Sequence, residues 1–176
     1  MKNPLILIAL AIMAFPQLGF AQKKQSSDYH FKRAEELWQN DGDPKEILSL
    51  LDKQLEETPK HSDALFLRSY IYVTQEKYNL ALSDANRAIA CYDKKTSERN
   101  KAMLYLWRGA IYHKQLHEAD KALADYDTAC KLIAKSNPDR ANSFLIERAQ
   151  LHYEQKELDK ADADYAQMLK NDETDQ

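Results

Sequence analysis

Glycine and proline are scarce in this chain, 3 and 5 of 176 residues, and beyond residue 21 the only glycines are Gly42 and Gly109. A phosphate-cradling loop needs clustered glycines and a Gly-x-Ser-x-Gly elbow needs two flanking its nucleophile, so both chemistries are excluded. Low glycine and proline beside abundant Ala, Leu, Lys, Glu and Tyr favours helix over strand. Charge of one sign is also missing: 25 Lys+Arg stand against 28 Asp+Glu, a formal net charge of −3. Without a basic stripe there is no electrostatic footprint for nucleic acid, and an anionic membrane surface gains nothing. Cysteine is limited to Cys91 and Cys130, each inside a helical pattern. They read as two buried small hydrophobes, with one bridge between neighbouring helices as the alternative.

Long apolar runs are absent except at the start. Lys2 supplies a positive segment, Leu5 to Phe15 an apolar one, and Gly19-Phe20-Ala21 the small residues that export peptidases read. The expectation is a signal peptide over 1–21, cleaved after Ala21, with a polar linker over 22–27. An uncleaved anchor is the competing reading, but Pro16 interrupts a run shorter than the roughly 20 residues a spanning helix needs. Cleavage leaves a periplasmic or secreted chain with nothing to insert in a membrane.

What is present is an internal repeat. Leu67-Arg68-Ser69-Tyr70-Ile71-Tyr72, Trp107-Arg108-Gly109-Ala110-Ile111-Tyr112 and Glu147-Arg148-Ala149-Gln150-Leu151-His152 align on an Arg followed by a small residue. Each is followed by a second block: Ala81-Leu82-Ser83-Asp84-Ala85, Ala122-Leu123-Ala124-Asp125-Tyr126 and Ala161-Asp162-Ala163-Asp164-Tyr165. A weaker first copy runs from Phe31-Lys32-Arg33-Ala34 to Ile47 and Leu51. Small residues on both blocks let two helices approach closely, while Tyr72, Tyr112, Tyr126 and Tyr165 fill the space beside the contact. Each hairpin leaves apolar surface that only the next can cover, so the copies stack.

These residues resemble the tetratricopeptide repeat (TPR) family, whose signature is a small residue, an aromatic three positions on, then Ala, aromatic and Ala in the second helix. The resemblance implies an all-α solenoid of about four antiparallel hairpins, eight helices, with repeats near 28–59, 62–94, 98–135 and 138–171 and a polar tail over 172–176. The small residues lie about forty apart, where the family shows about thirty-four. The excess falls around Tyr92–Asn100 and Lys131–Asp139, which reads as lengthened second helices.

Boundary signals place the helices near 28–39, 44–57, 62–75, 78–92, 98–115, 118–135, 138–154 and 158–171. Asp43-Pro44 and Asn137-Pro138 are helix starts, Thr58-Pro59 is a stop, and Ser62 is a cap. The in-phase pairs Arg68/Asp84, Arg108/Asp125 and Arg148/Asp164 read as salt bridges within hairpins or solvated charges.

Chemistry is hard to find. His113 and His117 have helical metal-ligand spacing but lack an evident third ligand. Asn40-Asp41-Gly42-Asp43 lacks the alternating acids of a calcium loop. No catalytic residue, metal or cofactor is expected, and the chain reads as a non-enzyme. In the resembling family the first helix of each repeat lines a concave groove that receives peptides or partner helices. By register that implies Phe31, Glu35 and Trp38; Phe66, Tyr70, Val73 and Thr74; Leu106, Ala110, His113 and Lys114; and Ile146, Gln150 and Tyr153. The Lys and Asn that clamp acidic peptide termini in some members are replaced by Phe31, Phe66, Leu106 and Ile146. An apolar groove for a hydrophobic peptide or helix follows, although aromatics at helical spacing also pack between repeats. The polar outer face of the last helix suggests a cap. Two functions fit: a cell-envelope scaffold binding a protein partner, or a structural subunit that self-associates through hairpin faces.

Overall fold

The computed structural model describes residues 27–91, 97–136 and 141–174. The expected signal peptide and the Asn137-Pro138 helix start lie outside the described residues. Eight α-helices run along the described chain: α1 (Tyr29–Gln39), α2 (Pro44–Glu57), α3 (Ser62–Thr74), α4 (Tyr78–Ala90), α5 (Glu98–Ala110), α6 (Ala119–Ser136), α7 (Ala141–Glu154) and α8 (Leu158–Thr174). A π-helical segment, Ile111–Gln115, continues α5. Consecutive helices pack as four antiparallel hairpins, and each hairpin packs on the next. Among the described residues there is no strand, and no helix is long and apolar enough to cross a membrane.

Local sequence explains the boundaries. The Asp43 carboxylate accepts the Lys45 N–H at 2.9 Å, with Pro44 in the first turn where its missing N–H costs nothing. Ser97 caps α5 by accepting the Asn100 N–H. For α3 the cap is His61, whose Nδ1 accepts the Ala64 N–H, and Ser62 is already inside the helix. Gln54 is fully buried at the first hairpin's open end, accepting the Phe31 N–H at 3.0 Å and donating to the Ser27 carbonyl at 2.7 Å. It thereby satisfies the start of α1, whose preceding Asp28 makes no side-chain cap bond.

All four hairpins turn by one device. Asp41, Glu76, His117 and Lys156 take left-handed backbone angles, φ 53°, 58°, 55° and 63°. The next N–H reaches back to the helix: Gly42 to Leu37, Lys77 to Tyr72, Glu118 to Tyr112 and Glu157 to His152, at 2.8–2.9 Å. This is the reverse bond that closes a helix whose last residue turns left-handed, a position glycine usually fills. Lys156→Gly removes the side chain's steric cost at an exposed site and should raise the unfolding free energy by about 0.5–1 kcal/mol, read as a higher urea midpoint.

The lengthened-helix expectation holds for one of the two spacings. α6 has 18 residues, but α4 has 13, the same as α3. The wider spacing of the second repeat is therefore not taken up by α4, which ends at Ala90. The expectation for the paired tyrosines also needs correcting. Tyr126 is completely buried, whereas Tyr165 is 40% exposed. Leu151 on the following hairpin packs with Tyr126, and no following hairpin covers Tyr165 among the described residues. Leu158 and Leu169 on α8 are likewise more than half exposed, so its outer face is more apolar than a polar cap.

The repeated Arg/Asp pairs form a ladder. Arg68, Arg108 and Arg148 each grip Asp84, Asp125 and Asp164 of the same hairpin with two bonds of 2.5–3.0 Å. Each also extends Nη1 to the preceding hairpin's second helix: to Asp52 at 2.6 Å, Asn86 at 2.7 Å and Asp127 at 2.7 Å. These carboxylates hold all three guanidinium groups above the ordinary arginine range.

Both cysteines are free thiols, packed in different apolar clusters. Burial pushes the Cys130 thiol up to about 11, whereas Cys91 is half-buried. At pH 8 only about one Cys130 in a thousand is thiolate. Iodoacetamide should therefore modify Cys91 in the native protein and Cys130 only after unfolding, as read by peptide mass mapping.

Candidate functional site: an aromatic cleft on the first hairpins

The first helices of the hairpins line one side of the solenoid, where side chains spaced three and four apart share a face. On α1 these are Phe31, Glu35 and Trp38; on α3 they include Asp63, Phe66 and Tyr70. Together with Trp107 of α5 they enclose an open cleft of about 400 Å³, within the size range of small-ligand sites.

The rings form a connected series. Trp38 meets Tyr70 edge-on at 5.6 Å between centroids, Tyr70 stacks on Trp107 at 5.4 Å, and Trp107 meets Phe66 edge-on at 5.8 Å. Such geometries suit the quadrupoles of the rings. Trp107 is anchored from below: its indole N–H donates to the Ser69 hydroxyl at 2.9 Å, and that hydroxyl donates to the Ala81 carbonyl at 2.8 Å. The small residue that closes the second hairpin thus positions a tryptophan of the third. Trp38, 43% exposed, presents the free end of the series.

Glu35 and Asp63 are the cleft's charged residues. Neither makes an ion pair with another described residue. Two adjoining clefts continue the surface, one past Asp63 and Phe66 to Met103 and the other past Trp38 and Tyr70 to Asp41. Lysine, arginine and histidine line none of the three. The His61 ring lies 4.7 Å from that of Phe31. Its two nitrogens face the Ala64 N–H and the Asp28 carboxylate.

The remaining groove candidates separate. Val73 and Leu106 line a second cleft with Ala110 and Trp107, crossed by the Lys114–Glu147 ion pair at 2.7 Å. Ile146 and Tyr153 are 48% and 63% exposed and line neither cleft. His113 is a correction: it is 7% exposed, with Nδ1 against the Tyr126 hydroxyl at 3.3 Å and Nε2 against Glu154 at 2.8 Å. The His113 contact pulls the Glu154 carboxyl below its usual range. His113 and His117 share no helix face, because the π-helical segment and the left-handed His117 intervene. No group of three or more potential ligands that could hold a metal occurs among the described residues.

Two cleft residues escaped the sequence reading. Trp107 stands at the position before the repeated Arg, which the Leu67 and Glu147 equivalents gave no reason to assign to a groove. Asp63 sits in the first turn of α3, where an acid reads as favourable to the helix dipole.

Among the solved structures that share the fold are three whose names are informative. MamA from Desulfovibrio magneticus RS-1 superposes with a TM-score of 0.68 at 16% identity, over 86% of this chain and 78% of that one. YrrB, a TPR protein with an unusual peptide-binding site, gives 0.67 at 18%, over 86% and 71%. PilF of Pseudomonas aeruginosa gives 0.69 at 17%, over 85% and 62%. The chain has the tetratricopeptide fold. No family model matches its sequence, and no curated protein does. At these identities the likeness establishes the architecture, and the tetratricopeptide hairpins here carry a cleft that has to be read from its own residues.

Proposed function

We propose that this chain is an exported scaffold of the cell envelope that binds a peptide or helix of a protein partner on its concave aromatic face. The observation carrying this reading is the Trp38–Tyr70–Trp107–Phe66 series, anchored at Ser69 and open to solvent at Trp38. Large aromatics held rigid at low entropic cost are the residues that dominate interface energetics. That YrrB carries a peptide-binding site on the same fold supports the reading. The export element rests on the signal-like segment of residues 1–21. No chemistry is proposed, because the protein acts by holding.

The test is a photo-crosslinking residue at Trp38 in cells of the source organism, with mass spectrometry of the trapped species and of the mature N-terminus. A recurrent envelope protein, lost when Phe66 is replaced by Asp, supports the scaffold; absence of any crosslink sinks it. A self-associating structural subunit is favoured by a different observation, the exposed Leu158, Tyr165 and Leu169 on the last helix. Light-scattering mass that rises with concentration, and stays at the monomer value in Leu169→Lys, would support that alternative.

A further inference from the structure

We propose that the aromatic cleft selects a cationic side chain, an arginine or lysine on a segment of the partner polypeptide. The inference rests on the peptide-binding reading above and adds the chemistry of the residue selected. Three observations converge.

The rings come first. Cations are attracted to the faces of Trp, Tyr and Phe within about 6 Å, tryptophan most strongly. Here two tryptophans, a tyrosine and two phenylalanines line one cavity. The structure already uses this contact elsewhere, with the Arg68 guanidinium 5.9 Å from the Tyr72 ring and that of Arg108 5.5 Å from the Tyr105 ring.

Charge comes second. Glu35 and Asp63 line the cleft and Asp41 the adjoining one, with no cationic lining residue to answer them. The Val73–Leu106 cleft differs, because Lys114 answers Glu147 there. The first cleft therefore lacks a cation that a ligand can supply. A guanidinium fits well, since its plane stacks on rings while its edge donates to carboxylates.

Exclusion comes third. A wholly apolar segment seated on these rings would strip water from Glu35 and Asp63 without replacing it, at a cost. An acidic segment or a peptide carboxylate would meet carboxylates and no donor cation. The cationic segment satisfies both halves of the lining, its stem against the rings and its head between the acids.

The cleft carries its own reporter, because the chain's 2 tryptophans are Trp38 and Trp107. The experiment is selection from a fully randomised peptide library, unbiased in charge, on the mature protein, followed by titration of synthetic winners against tryptophan emission. The expected winners carry Arg or Lys beside an apolar residue, shift the emission and weaken as salt rises. Glu35→Gln combined with Asp63→Asn, at two positions without an ion-pair partner among the described residues, should weaken them at least about tenfold, with circular dichroism unchanged. Winners that shift the emission but lack a cation and ignore the double substitution would overturn the cationic assignment and leave the peptide groove standing. Failure of every peptide to move the emission would overturn both. Phosphatidylcholine vesicles shifting the tryptophans where no peptide does would overturn the assignment in favour of a lipid headgroup.

Discussion

Asp125→Ala should lower the unfolding free energy by about 3–5 kcal/mol, the cost of leaving a largely buried guanidinium without its countercharge. Asp125 is 5% exposed and receives both Nε and Nη2 of Arg108, at 2.7 and 2.6 Å. Among the described residues Arg108 then keeps the Asn86 side-chain oxygen, which accepts one hydrogen bond but carries no charge, and the face of the Tyr105 ring. The second hairpin supplies an internal control. Asp84→Ala removes an equally buried carboxylate, yet Arg68 keeps Asp52 at 2.6 Å. Its loss should be smaller, about 2–3 kcal/mol. Urea unfolding of both variants reads the difference. Equal losses would show that the inter-hairpin rung contributes nothing, and the reverse order would contradict the ladder outright.

The second large effect is expected at Gly109. A Cβ there would lie 2.7 Å from two ring carbons of Tyr126 and 3.2 Å from Cβ of Asp125. Tyr126 cannot retreat easily, being completely buried with its hydroxyl against His113. Overpacking of this kind costs about 1–3 kcal/mol, while exchanging helical glycine for alanine returns about 1 kcal/mol. The contact is with the ring rather than a flexible end, so the upper figure applies and Gly109→Ala should destabilise by about 2 kcal/mol. The equivalent position in the fourth hairpin should behave oppositely. Ala149 is fully buried, and Ala149→Gly should itself be destabilising. Shortening the ring should relieve the clash: Tyr126→Leu should cost less in the Gly109→Ala background than in the parent. Thermal or urea melts of the four proteins close this cycle, and strict additivity would rule out the ring contact as the cause.

Those two positions show what a linear reading can and cannot reach. Ser69, Gly109 and Ala149 were legible as one class, small residues at the helix contact, because their spacing recurs. Which of them needed to lack a Cβ was not legible, since that depends on where a tyrosine sixteen or seventeen positions later points. Tyr126 turns into the space Gly109 leaves, while Tyr165 opposite Ala149 is partly exposed. Helix limits were readable to within a few residues because caps and breakers are local: Asp43 accepts the Lys45 N–H, Pro44 places its missing N–H where no bond is needed, and the Thr58 N–H closes back on Gln54. His61 displaced Ser62 as a cap because a ring nitrogen can do what a hydroxyl does, an option that composition does not reveal.

The cleft was half visible. Phe31, Trp38, Phe66 and Tyr70 follow from register on two helices. Trp107 belongs to it through a hydrogen bond to Ser69, 38 residues earlier, and nothing in a periodic pattern specifies that reach. His113 was misplaced for the complementary reason. Its register points towards the groove, but the switch from α to π winding at Ile111 rotates the following residues, and the ring ends between Tyr126 and Glu154.

The arginine ladder has a direction in time as well as in space. Each arginine finds its backward partner in chain already made, and its forward partner only 16 or 17 residues ahead. A nascent or threading chain delivered amino end first can therefore complete every rung as soon as one further helix has emerged. Each rung therefore needs no residue beyond the helix that follows its arginine, and the order in which the rungs can close is the order of the chain.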